Sequence, residues 1–188
     1  MNVLATGGID LVRVDNLAKK LKITRGSFYY HFENRQELLQ AILERWRAKA
    51  TEAVIESLKS RALNSQERLI ELILLPLKGD KSFEAASIEI SLRAWARRDP
   101  MARAAVDEVD SYRISYIEGL FVELDHPQEQ AADLAYLIYS YMIATSLLTT
   151  KNSAGDQTER ARRLAVFLSE NCPATDCPHR ILGKQQVR

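Results

Sequence analysis

The sequence predicts an all-α fold, and three observations carry that expectation. Apolar residues recur at helical spacing along nearly all of the 188 residues, no stretch shows the alternation of a half-buried strand, and capping residues stand where the periodic segments begin. The composition, 46% hydrophobic and 27% charged, is that of a globular chain. Its length is enough for one sizeable core, or for a small domain beside a larger one. No apolar run approaches the ~18 residues that span a bilayer, so no membrane partner is expected.

The elements follow in order. Asn2 to Ala5 closes a short helix before Gly7-Gly8, a helix stop. A second short helix is expected from about Asp15 to Leu21. Lys22 and Ile23 form a turn, and Thr24 is a good N-cap for a third short helix ending near Phe32. Asn34, with Glu37 three residues later, has the pattern that opens a fourth helix. Its apolar positions Leu39, Leu43, Trp46, Ala50, Ala53 and Leu58 keep a helical period over roughly 35 Å, long enough to link two domains.

Downstream, Leu69 to Leu77 is apolar nearly all round, as a central helix would be, and Pro76 with Gly79 closes it. Ser82 is expected to cap the next helix, which carries Phe83, Ile90, Ala94 and Trp95. Asp99-Pro100 is an N-cap followed by proline at the first helical position, opening a helix with Val109, Tyr112, Tyr116, Leu120 and Leu124. Another helix is expected from near Pro127 to about Thr149. Asp156 with Glu159 marks the start of the last, which reaches about Glu170. No segment repeats at a fixed period, which excludes a solenoid. The expected organisation is a helix-turn-helix domain over 1–33, a connecting helix over 34–58, a helical bundle over 59–171 and a tail over 172–188.

Net charge is only +1, but its distribution is uneven. Residues 1–50 hold nine Lys and Arg against five Asp and Glu, whereas the remainder holds 17 against 20. A basic front on an acidic body suits a chain that offers one end to a polyanion. The opening MNVLATGG has no basic stretch before an apolar one, so no secretory leader is expected. Cys172 and Cys177 give no disulfide framework, and a reducing cytoplasm is the expected compartment.

The informative stretch is 13–39, RVDNLAKKLKITRGSFYYHFENRQELL. Two short helices joined by a tight turn lead into a longer one. Leu17, Ala18, Leu21, Ile23, Phe28 and Phe32 are expected to make a miniature core, with small Ala18 allowing close approach. This is the layout of a helix-turn-helix whose second helix enters the major groove of DNA.

In Leu17-Ala18, Leu21-Lys22-Ile23-Thr24, Gly26-Ser27-Phe28-Tyr29-Tyr30-His31-Phe32, Asn34-Arg35 and Leu38-Leu39, the segment resembles the TetR (tetracycline-repressor) family of transcriptional regulators. The motif covers about 30 residues; the chain of helices behind it fits the family's ligand-binding and dimerisation domain. Arg25, at the front of the recognition helix, is placed to pair with a guanine edge, or else is a solvated helix-start charge. The resemblance implies phosphate contacts for Ser27, Tyr29 and His31, and a phosphate or base contact for Tyr30; a buried structural ring is the alternative for either tyrosine. Arg35 stands in the first turn of the fourth helix, where a cation opposes the helix dipole unless a phosphate is bound there too; a plain surface charge is the alternative. Lys19, Lys20 and Lys22 add attraction without sequence information, or serve only solubility.

Two departures from the family pattern stand out. Lys22 replaces the turn glycine, which costs strain if that position needs positive φ. The first helix is truncated to its last turn, so the natural start is expected upstream of Met1 or the gene is shortened.

For the body, the resemblance implies a homodimer and a small-molecule effector of unknown identity. Ala131 to Leu148 fits a dimer helix, with Leu134, Ile138, Met142 and Thr145 on one face and Leu137, Tyr141, Ala144 and Leu148 on its neighbour; Leu164 and Phe167 would complete the interface. An ordinary core helix is the alternative. Phe83, Trp95, Tyr112, Tyr116, Tyr136 and Tyr139 are candidate pocket residues, although each taken singly is better explained as core. No cofactor or metal is expected, because the spacing of Cys172, Cys177 and His179 is not that of a zinc site. No catalytic arrangement stands out, so the chain is not expected to be an enzyme. The expected function is a dimeric, ligand-responsive regulator, a repressor acting on a double-stranded palindromic DNA operator. The alternative is a helical ligand-binding or interaction protein whose DNA binding was lost with its first helix.

Overall fold

A computed structural model describes residues 1–148 and 153–170; the tail with Cys172, Cys177 and His179 lies outside them. Among the described residues every regular element is helical: α1 (Asn2–Gly7), α2 (Val14–Leu21), α3 (Arg25–His31), α4 (Arg35–Arg47), α5 (Ala53–Ser60), α6 (Ser65–Ile73), α7 (Asp80–Ala96), α8 (Pro100–Val122), α9 (Gln128–Leu147) and α10 (Ala154–Ser169). Short 3₁₀ turns occupy Ile9–Leu11 and Leu75–Leu77.

Local chemistry explains most helix starts. Thr24, Asn34 and Asp99 each accept a backbone N–H from three residues on, satisfying a donor the helix cannot. Three starts differ from expectation. α6 opens four residues before Leu69, because Asn64 and Glu67 form a reciprocal capping box. Ser82 lies inside α7 rather than capping it; its hydroxyl donates to the Leu75 carbonyl, and Gly79 holds the cap position. α10 is capped by Ser153, whose hydroxyl oxygen accepts from the Asp156 N–H, so the start precedes the expected Asp156.

Two apolar clusters organise the chain. The first joins Leu4, Ile9, Val12, Leu39, Ile42, Leu43 and Trp46 to Ile88, Leu92 and Trp95 of α7 and to Val106 and Val109 of α8. The second gathers Leu58, Leu69, Leu72 and Ile73 with Ile117, Leu120 and Phe121 of α8, Ala131, Ala135 and Ile138 of α9, and Ala161 and Ala165 of α10. α8 therefore runs through both. Truncated or not, α1 forms, and its Leu4 is buried in the first cluster.

α4 and α5 are joined by a π-helical segment, Ala48–Glu52. Its extra residue shifts the buried face. Leu39, Leu43 and Trp46 point inward as expected, but Thr51 and Ile55 follow them into the interior, whereas Ala53 is exposed. A single α-helical period had placed Ala50 and Ala53 there.

Candidate nucleic-acid interface

α2 and α3 are held at a tight turn by backbone geometry. α2 ends in a left-handed residue, Lys22 (φ 55°, ψ 40°), which lets the Lys22 and Ile23 N–H groups bond back to the Lys19 and Ala18 carbonyls. The strain foreseen for a non-glycine there is present. Thr24 then starts α3: its hydroxyl oxygen lies 3.1 Å from the Ser27 N–H and 3.0 Å from the Ser27 hydroxyl.

The miniature core is smaller than expected. Ala18 and Phe28 are buried and Leu17 and Phe32 half-buried, with the Phe28 and Phe32 rings 5.5 Å apart. Leu21 and Ile23 are exposed instead. The short α1 packs against α7, so nothing among the described residues covers them.

With Phe28 as its anchor, α3 presents Arg25, Ser27, Tyr29, Tyr30 and His31 outward, all exposed, Tyr30 to 85%. Lys19, Lys20 and Lys22 are exposed beside them. Tyr29 meets Phe28 edge-on at 5.3 Å, and Tyr30 meets His31 edge-on at 5.1 Å, which stiffens the row. The Arg25 guanidinium pairs with Asp15 of α2 at 2.5 Å; both are well exposed, so the pair aims the side chain more than it stabilises the fold.

Arg35 has partners within the chain that its local sequence does not suggest. Its Nε donates to the Val12 carbonyl at 2.9 Å and its Nη2 to the Ile9 carbonyl at 3.2 Å. A cation in a first helical turn sits badly with the dipole; here it reaches back to carbonyls of the preceding loop and ties that loop to α4.

Gly26 lies on the same helix as Arg25, Ser27, Tyr29, Tyr30 and His31. A Cβ added there would meet only the Thr24 hydroxyl, at an ordinary 3.7 Å. Among the described residues nothing requires a glycine at that position of α3. Its signal in the sequence is its place directly after Arg25 at the start of α3.

Comparison with known proteins follows the same segment. The model of the family "Bacterial regulatory proteins, tetR family" matches residues 1–42, covering α1 to α3 and the start of α4. The chain's first 42 residues are similar to that family's N-terminal domain. No curated protein matches. Among solved structures, a protein assigned as a TetR-family transcriptional regulator from Rhodococcus sp. is 20% identical, covering 89% of this chain and 93% of its own, with a TM-score of 0.69. A protein assigned as a transcriptional regulator from Saccharomonospora viridis, in complex with choline, is 19% identical, covering 86% and 88%, at a TM-score of 0.68. GusR of Salmonella enterica is 15% identical over 89% and 86%, at 0.65. At these identities the likeness is one of fold, and it extends the TetR architecture over the whole helical body.

The six aromatics expected to line a pocket are not brought together. Phe83, Tyr112 and Tyr136 are exposed, Trp95 is buried in the first cluster, and Tyr116 and Tyr139 belong to the second. A small cavity of about 150 Å³ instead lies between α7 and the end of α9, lined by Glu89, Ile90, Arg93, Ile143, Ser146 and Leu147. The dimer faces divide as well: Ile138 is fully buried in its own bundle and Leu134, Met142 and Thr145 are half-buried, so that face is largely monomer core. Tyr136, Leu137, Leu147 and Leu148 are exposed, as are Val166 and Phe167 of α10, with Phe167 at 71%. Tyr141, Ala144 and Leu164 are half-buried.

Proposed function

We propose that this chain is a TetR-family, effector-responsive repressor that binds a palindromic operator as a homodimer. One observation carries the reading: α3 exposes Arg25, Ser27, Tyr29, Tyr30 and His31 on a scaffold fixed by buried Phe28 and the Lys22 turn. In that row Arg25 reads a guanine edge, while Ser27, Tyr29, Tyr30 and His31, flanked by Lys19, Lys20 and Lys22, hold phosphates. Arg35 adds charge at the same end.

The exposed apolar residues of α9 and α10 support pairing of two chains, since an uncovered face of this kind is costly in water. The cavity beside Glu89 and Arg93 is the favoured effector site. It is small against the usual ~300–1,000 Å³ of ligand pockets, which favours a compact effector with one polar group; the choline-bound neighbour is an example of such chemistry. The effector acts only if it prefers the conformation with misplaced recognition helices.

A gel shift on the promoter beside its own gene, at low and moderate salt, tests the reading. A sequence-preferring, salt-weakened shift with two footprinted half-sites is expected. Absence of any sequence preference would leave a helical ligand-binding protein in its place.

A further inference from the structure

Between the two apolar clusters lies a layer of charge. On α7, Glu89 accepts from Arg93 at 2.8 Å and from Arg113 of α8 at 2.9 Å. Arg93 also grips Asp110 of α8 through both terminal nitrogens, at 2.9 and 2.6 Å. The Tyr139 hydroxyl of α9 donates to Asp110 and accepts from both arginines. Four charges of two signs thus cancel among α7, α8 and α9, at the level where one core ends and the other begins.

One arm leaves this layer. Arg113 extends to the π-helical segment between α4 and α5, where its Nε donates to the Thr51 hydroxyl at 3.0 Å and its Nη2 to the Ala50 carbonyl at 3.2 Å. Its guanidinium carbon also lies 5.6 Å from the Trp46 ring centre. Thr51 is buried, and its inward position exists only because the π insertion turns it there.

We infer that Arg113 is a positioning residue for DNA binding: by holding Thr51 and Ala50 it fixes the π segment, and so sets how the DNA-binding end sits on the dimerising end. The physical reason is the geometry of insertion. A π segment absorbs one residue, and α-helical residues advance by about 1.5 Å and 100° each, so moving the insertion along the rod redirects whichever segment it passes. Trp46 belongs to the core that includes α1, and Leu58 to the core shared by α6, α9 and α10. The insertion keeps both in register, and Arg113 is the side chain that grips it. Glu89 and Arg93 form one wall of the cavity assigned to the effector, so a ligand there disturbs the layer that orients Arg113. The inference rests on the regulator reading for its DNA readout, but not for the pin itself.

The test uses Thr51→Val, which removes the hydroxyl at similar volume, Arg113→Lys, which keeps charge but cannot reach Thr51, Ala50 and Glu89 together, and Thr51→Ser, which restores the hydroxyl. Two quantities are read in the full chain: amide hydrogen exchange across 48–52, without DNA, and operator affinity. Thr51→Val and Arg113→Lys are expected to speed exchange at 48–52 at least tenfold over that of α9 and to weaken operator binding at least tenfold, while Thr51→Ser behaves as the natural chain. Unchanged exchange in both variants, or failure of Thr51→Ser to rescue, overturns the pin whatever happens with DNA. Faster exchange with unchanged affinity overturns its role in positioning. If the natural chain shows no sequence-preferring binding, the regulator reading fails, while exchange still decides the pin.

Discussion

The Arg35 guanidinium donates its Nε–H to the carbonyl of Val12, 23 residues earlier, at 2.9 Å, and so joins the first turn of α4 to the loop before α2. The second bond, to Ile9, closes the same loop. Arg35→Met should therefore act first on stability. Losing a charged donor to two carbonyls is expected to cost about 1–3 kcal/mol, read as a lower urea midpoint of the isolated protein. A midpoint equal to that of the natural chain would mean that Arg35 serves the phosphate backbone alone.

Lys22 sits in the left-handed region, where a Cβ is penalised. Lys22→Gly should raise stability by about 1 kcal/mol by removing that penalty, seen as a higher thermal midpoint. The same change removes one cation, so operator binding should become slightly less salt-dependent.

Gly26 has room for a methyl group within the protein. Gly26→Ala should stabilise α3 by about 0.5–1 kcal/mol, because glycine is costly within a helix. Operator affinity should nevertheless fall, since the added methyl stands on the surface proposed to meet DNA. Thermal melting and gel shift on one sample separate the two effects; tighter operator binding would contradict the assigned face.

Arg25 and Lys20 are both exposed cations, but different losses are expected. Arg25→Ala should cost about 1–3 kcal/mol of operator affinity and relax the preference at one base pair. Lys20→Ala should weaken all sequences alike and lower the salt slope by about one. Titration of matched and single-substituted operators at several salt concentrations distinguishes them.

The charged layer predicts two limits of pH stability. Burial pushes the Asp110 carboxyl up, but hydrogen bonds from Arg93 and Tyr139 outweigh it and hold the group below its ordinary value. Its stabilisation is thus present above the usual carboxylate range and is lost as pH falls through the lowered value. Burial pushes the Tyr139 hydroxyl up to about 12. That contribution is present below the ordinary tyrosine value near 10 and fades as pH rises towards 12. Thermal midpoints should be level between these limits, and Tyr139→Phe should remove the alkaline fall attributable to this group. An alkaline limb unchanged in Tyr139→Phe would assign it elsewhere.

Most of the helices and the exposed side chains of α3 were legible in the local sequence. Thr24, Asn34 and Asp99 act on donors three residues away, and Phe28 takes the inward position its spacing implies, so these features need no knowledge of the rest of the chain. Tertiary structure decided where those helices lead. The π insertion that puts Thr51 inside, the Arg113 contact spanning 62 residues, the use of Arg35 on Val12 and the scattering of the six aromatics all depend on which faces meet. Capping and periodicity are short-range properties of a chain, whereas a side chain's partner across 20 or more residues is chosen by packing, and no local pattern encodes it.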